Sequence, residues 1–147
     1  MNVINEIKLN ILSRSANESF ARVAVAAFIS QLDPTIEELS DIKTAVSEAV
    51  TNCIVHGYAE KLGSIYITVR LYDTGTVEIK IRDNGRGIPD VKQAMEPLFT
   101  TAGGERAGLG FAVMESFMDK LHVRSRIGTG TTVTMRKQLS PRVKVNG

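Results

Sequence analysis

With 147 residues and 16.0 kDa, the chain fits one domain large enough to bury a core. A hydrophobic share of 43% and a charged share of 23% are ordinary for a globular protein and exclude a disordered or membrane-embedded chain. The 18 basic and 16 acidic residues are scattered rather than gathered in runs, which speaks against direct nucleic-acid binding.

The first predicted element is a strand with Ile7, Leu9 and Ile11 at period two. Glu6 and Lys8 interrupt any apolar signal core there, and no later stretch approaches the roughly 20 apolar residues of a membrane span, so a cytoplasmic location is expected. Ser15, with Glu18 three residues on, has the form of a capping box. The helix it opens is expected to bury Phe20, Val23, Ala24, Ala27 and Phe28. Pro34, Thr35 and Glu38 open a second helix in the same way. Its stripe of Ile42, Ala45, Val46, Ala49, Val50 and Cys53 ends by Gly57, a residue suited to a left-handed C-terminal position. Cys53, the single cysteine, has no zinc-like context and is expected in the core.

Two strands follow over residues 65–71 and 77–81, joined by the turn residues Asp73, Thr74 and Gly75. Their alternate positions are polar or amphipathic, so one sheet face meets water and the helices must cover the other. A short helix is expected near residues 91–95 and a third main helix over 111–118. Strands around Leu121 and Val123, with Ile127 further on, and around Val133, Met135 and Leu139 complete the set. Residues 140–147 open with Ser-Pro and read as a tail, which leaves residues 1–139 as one domain. The sum is a two-layer α/β sandwich.

Several places have the residue types that chemistry needs. Glu48 and Asn52 are four apart on the second helix, one turn above the other. A carboxylate can accept a proton and an amide oxygen can help hold Mg²⁺, although an ordinary solvated pair has the same spacing. Asp83-Asn84-Gly85-Arg86-Gly87-Ile88 follows a strand directly. Its glycines allow a close backbone approach to a ligand and Asp83 can accept from an exocyclic amine, whereas a plain Asn-Gly turn needs neither. The glycine-rich stretch from Thr100 and Thr101 to Gly108-Leu109-Gly110 empties into the helix expected at Phe111. Such a loop can close over phosphates, with an anion site at the helix start and Arg106 as a charge-assisted donor; a surface loop with a capped helix is the plainer reading. No Walker or Rossmann pattern is present. Gly130 and Thr131 lead into the last strand, from which a hydroxyl can reach a base. His56 falls on an apolar helix side and reads as structural; His122 falls on a polar strand side and reads as solvated.

In their order, Glu48-xxx-Asn52, Asp83-x-Gly85-x-Gly87, Gly108-x-Gly110 and Gly130-Thr131 resemble the GHKL superfamily of ATP-binding domains, shared by gyrase B, Hsp90, MutL and the histidine kinases. Glu48 to Asn52 continuing to His56-Gly57-Tyr58, with Pro97-Leu98-Phe99-Thr100-Thr101 and Met114 to Asp119, resembles the anti-sigma serine kinases of Gram-positive bacteria. The run Asn17 to Val23 favours their sporulation branch. The resemblance implies a Bergerat α/β sandwich with a mixed, largely antiparallel sheet and helices on one face. It implies ATP and Mg²⁺ as cofactors, Asn52 as the Mg²⁺ residue, Glu48 as general base and Arg106 as a catalytic charge. Asp83 and Thr131 would bind adenine; Gly85, Gly87, Ile88, Thr100, Thr101, Gly108, Leu109 and Gly110 would line the rest of the nucleotide site. It further implies a homodimer that captures the sigma-F subunit of RNA polymerase and phosphorylates a serine of an anti-anti-sigma partner, controlling sporulation transcription. Arg22, expected on the exposed side of the first helix, would touch both partners. Three alternatives stay open: a free-standing histidine-kinase domain, a binding module switched by ATP without transfer, and the sigma-B stress-response branch.

Overall fold

Among the described residues, period-two runs of aliphatic residues build five strands, β1 (Val3–Leu12), β2 (Ser64–Tyr72), β3 (Thr76–Asp83), β4 (Lys120–Arg126) and β5 (Gly130–Gln138). Among the described residues four α-helices accompany them, α1 (Ala16–Ile29), α2 (Ile36–Asn52), α3 (Val91–Ala94) and α4 (Glu105–Phe117). The computed structural model describes residues 1–59, 61–96 and 105–141, and for residues 105–108 the backbone alone. The strands form one sheet in the order β1-β2-β3-β5-β4, and all four ladders are antiparallel, so the sheet is not the mixed one expected. Ile127 lies outside the strands and is exposed.

Alternation decides which face each residue takes. Ile67, Val69, Leu71, Val77, Ile79, Ile81, Val133 and Met135 are buried and join Val46, Ala49, Phe111 and Met114 of the helices in one core. On the opposite face Glu6, Arg70, Glu78 and Arg136 are successive cross-strand partners. They bind as a ladder: Arg70 Nε to Glu6 at 2.5 Å, Arg70 to Glu78 at 3.8 Å and Arg136 to Glu78 at 2.6 Å. Arg82 stacks over Tyr66, also its register partner, at 4.3 Å from the ring centroid.

The capping box expected at Thr35 forms completely. Thr35 Oγ1 accepts from Glu38 N–H at 3.0 Å and Glu38 Oε1 accepts from Thr35 N–H at 2.8 Å. At Ser15 no such box forms, because its backbone is already helical (φ −58, ψ −31) rather than extended, and its hydroxyl makes no cap bond. The buried face of α1 also differs from expectation. Ala21, Val25, Ala26 and Ile29 face the core, whereas Phe20 and Val23 are more than half exposed. A helix with apolar residues on two sides gives periodicity no means of choosing between them.

The helical backbone runs past Asn52 through one π turn, Cys53–Gly57, closed by Tyr58 N–H on Cys53 C=O at 2.9 Å. The left-handed residue beyond it is Ala59 (φ 53), not Gly57. At the other end of the chain, Leu139 is buried and Ser140 N–H donates to Glu38 Oε2 at 2.7 Å. Ser140, the first residue of the segment expected to be a tail, is thus hydrogen-bonded to the domain. Among the described residues no helix is long and apolar enough to cross a membrane.

Candidate functional site

A cavity of about 500 Å³ opens between α2, the end of β3, β5 and the segment that follows β3. Asp83 forms its floor. Strand parity carries the side chain there, since residues 77, 79, 81 and 83 share the helix-covered face, and Asp83 is 4% exposed. Burial pushes its carboxyl above the ordinary 3.8; hydrogen bonds from Gly85 N–H, the Cys53 thiol and Thr131 N–H oppose that shift without cancelling it. Cys53 is buried beside it, as expected of a core residue, and burial together with the Asp83 charge holds its thiol well above the usual range.

Glycines let the surrounding backbone close on this carboxylate. A Cβ at Gly57 would stand 2.8 Å from Asp83 Oδ2, and one at Gly85 would stand 2.1 Å from Gly57 C=O. The two segments meet instead through Arg86 N–H on Gly57 C=O at 2.9 Å. Gly87 has φ +79 and lies against Arg126 C=O, where a side chain has no room. Gly57 thus serves the site by close approach, which a reading of it as a helix terminator misses.

Thr131 lines the cavity, with its hydroxyl 2.8 Å from that of Ser125. Ser125 Oγ in turn accepts from Ile88 N–H at 2.7 Å, and so anchors the loop after β3 to the sheet. Tyr58 does the same from the other side, its hydroxyl accepting from Asn84 N–H at 2.7 Å and donating to Ser64 C=O. Ser125 went unmarked in the sequence and Tyr58 stood there only within the family motif, with no role of its own, because a serine on a strand and a tyrosine after a helix are common. Their meaning comes from register and loop geometry. His56 lines the cavity and its carbonyl accepts from Arg86 Nε at 2.8 Å; His122 is exposed, as expected.

Asn52 projects into the same cavity, and its Nδ2 is buried with no hydrogen-bond partner among the described residues. Glu48, one turn earlier, opens instead on a second recess of about 340 Å³ beside Arg22, Ser40, Lys43, Thr44 and Ser47. Asp83 and Glu48 therefore line different recesses of the described residues. Gly110 of α4 occupies the place where the two meet: a Cβ there would stand 3.1 Å from Asn52 Oδ1 and 3.2 Å from Glu48 Oε2. The helix begins at Glu105 rather than Phe111, so Gly108, Leu109 and Gly110 are helical and not a loop. Leu109 is exposed. Arg22 is half-buried between α1 and α2, not on the free side of α1, because the core-facing side of α1 is rotated from the one expected. Thr100 and Thr101 lie outside the described residues, as do the side chain of Arg106 and the surroundings of Gly108.

Residues 12–137 match the family model described as a histidine kinase-like ATPase domain. The anti-sigma F factor of Thermoanaerobacter sp. (strain X514) is 57% identical over 141 residues, covering 95% of this chain and 97% of that one. The chain belongs to the anti-sigma F factor family. A second anti-sigma F factor, from Clostridium botulinum (strain Eklund 17B / Type B), is 57% identical over 138 residues, 92% of this chain and 96% of its own. Among solved structures, the RsbU and RsbW domains of a Mycobacterium tuberculosis protein superpose with a TM-score of 0.71 at 19% identity, over 97% of this chain and 35% of that one. The catalytic domain of the histidine kinase ThkA superposes with a TM-score of 0.57 at 17% identity, over 95% and 100% of the two chains. These likenesses show the shared α/β fold. Membership in an ATPase domain family implies that this anti-sigma F factor family member binds ATP.

Proposed function

We propose that this protein is an anti-sigma factor that holds the sigma-F subunit in an ATP-dependent way, yields it when an anti-anti-sigma partner docks, and phosphorylates a serine of that partner. The observation that carries the reading is the junction of Asn52, Glu48 and Gly110, where an unpartnered buried amide and a carboxylate meet at one glycine between the two cavities. Among the described residues no three His, Cys, Asp or Glu side chains converge on a metal site. One amide oxygen nevertheless suits Mg²⁺, which takes few protein ligands when phosphates and waters complete its shell. Asn52 Oδ1 would be the atom to hold it, while the unpartnered Nδ2 donor suits a phosphate oxygen, and Mg²⁺ when bound would neutralise phosphate charge there.

In this reading Asp83 accepts a hydrogen bond from the adenine amine, and Gly57 and Gly85 let the ring lie close to the backbone. The triphosphate points toward Asn52. Glu48 makes no ion pair among the described residues, so its carboxylate is free to take a proton. A serine hydroxyl entering from the Glu48 side gives up its proton to that carboxylate as its oxygen bonds to the γ-phosphorus. The bond from that phosphorus to the β–γ bridging oxygen breaks, and ADP leaves with the electron pair. Arg106 adds charge toward the transferred group, and a second copy of the chain completes the assembly that grips one sigma subunit.

The separation of Glu48 from the Asp83 cavity also favours a second reading, in which ATP only switches a binding surface. One experiment decides between them. Glu48→Gln should keep ATP binding and lower phosphate transfer to the partner by roughly a hundredfold or more. Transfer at the wild-type rate by that variant would remove Glu48 as base. Binding of sigma with no transfer by the wild-type chain would establish the switch.

A further inference from the structure

The recess beside Glu48 is polar in a specific way. Residues 40, 43, 44, 47 and 48 present one face of α2 to it, and Arg22 closes it from α1. Two buried atoms there, Arg22 Nε and Ser47 Oγ, have no hydrogen-bond partner among the described residues. Arg22 is otherwise engaged only through Nη2, at 3.4 Å from Ser19 Oγ, and neither Arg22 nor Lys43 forms an ion pair among the described residues. Thr44 is already committed, its hydroxyl donating to Ser40 C=O at 3.0 Å. The wall therefore offers a guanidinium, an ammonium and a hydroxyl, with Glu48 as its one acidic side chain. Buried donors left without acceptors are expensive, so a wall of this composition calls for an acceptor of its own.

We infer that this recess is an oxyanion site that receives the phosphate of the phosphoserine product. A phosphate monoester brings close to two negative charges and three acceptor oxygens, which match two cations and a free hydroxyl better than a single carboxylate does. Position fits as well. Glu48 belongs to the recess and Asn52 to the neighbouring cavity, with Gly110 between them, so a serine approaching on the Glu48 side carries its new phosphate away into the recess. The Glu48 carboxylate is the one group on the wall that repels the product, and it keeps the product from being held too long. Identifying the anion as the product rests on the kinase reading; the presence of an anion site does not.

The test uses the full ¹⁵N-labelled chain titrated with N-acetyl-O-phosphoserine amide, with N-acetylserine amide and with inorganic phosphate. The phosphoserine probe should move the amide signals of Arg22 and residues 43–48, and inorganic phosphate should do so more weakly. Arg22→Ala and Lys43→Ala should each weaken binding about tenfold or more, the scale of a lost charge-assisted hydrogen bond. Glu48→Gln should tighten it. Arg22→Lys, which keeps the charge and loses the Nε donor, should fall between and serves if the alanine variant does not fold. No movement of these signals, equal response to the unphosphorylated probe, or unchanged affinity in both alanine variants overturns the site. Tighter binding of free phosphate than of phosphoserine overturns its assignment to the product. Transfer from labelled ATP to the partner, measured in parallel, separates the two ideas: transfer without phosphoserine binding sinks the recess alone, and absence of transfer sinks the reading beneath it.

Discussion

Asp83 is held where a carboxylate is useful to a ligand and uncomfortable without one. Burial raises its pKa above 3.8, so the folded chain binds the proton more tightly than the unfolded chain. Stability contributed by this group therefore falls as pH rises through the window above 3.8 and stays lower beyond it. Asp83→Asn removes that dependence. Urea midpoints taken between pH 4 and pH 7 should show the wild type losing ground to the variant as pH rises, and a wild type that gains instead would mean the burial penalty is not the dominant effect. The same variant should bind ATP about ten- to a hundredfold more weakly, since it gives up a charged acceptor. Isothermal titration reads this directly. Asp83 was legible in the sequence because it opens a glycine-spaced run directly after an expected strand; that β3 includes it, and so puts it on the buried face, only the structure shows. Its partners Cys53, Gly57 and Thr131 come from elements distant in the chain, and only the π turn and the strand register bring them within reach.

Among the elements, α2 holds Glu48 and Asn52 and has a complete capping box at its start, and that start is tied to Ser140. Burial pushes the Glu38 carboxyl up, but the bonds from Thr35 and Ser140 outweigh it and set the pKa below 4.5. The stability Glu38 supplies is thus present above pH 4.5 and lost as pH falls through its lowered value. Glu38→Gln should lower the melting temperature at pH 7 by an amount that shrinks toward pH 3, opposite in sign to the Asp83 effect. Thr35→Ala should cost about 1 kcal/mol. The first helix shows what pattern alone cannot fix. Phe20, Val23 and Ala27 recur at helical spacing as convincingly as Ala21, Val25 and Ile29 do, and the packing of α1 on α2 and the sheet selects the second set. Val25→Ala should therefore destabilise by about 2 kcal/mol through two lost methyl groups in the core. Phe20→Ala, in contrast, should stay within about 0.5 kcal/mol. Equal losses in urea unfolding would return the buried face to the Phe20 side.

At the scale of the whole molecule, the sheet was legible because alternation and turn chemistry are local, whereas the division of the site into two cavities was not. That division depends on α4 starting early enough to seat Gly110 against α2, a distance relation no spacing in the sequence encodes. The Asp83 cavity is bounded by α2, the end of β3, β5, α3 and Phe111 of α4, so a nucleotide bound there, as proposed, would join elements far apart in the chain. A ligand of this kind stabilises the entire fold by its affinity for the native state alone, about 2.7 kcal/mol at a hundred times its dissociation constant. For a chain of this length that is a rise in melting temperature of about 5–10 °C. Wild type and Glu48→Gln should show the full rise with ATP and Mg²⁺, because the base contributes to transfer and not to holding the nucleotide. Asn52→Ala should show a smaller rise that no longer depends on Mg²⁺, since the adenine end remains and the amide that meets the metal is gone. Asp83→Asn, binding ten- to a hundredfold more weakly, should show about half of that rise or less at the same concentration. A Glu48→Gln chain that loses its thermal shift would place Glu48 in nucleotide binding, and the two-cavity division of labour between Asp83 and Glu48 would have to be abandoned.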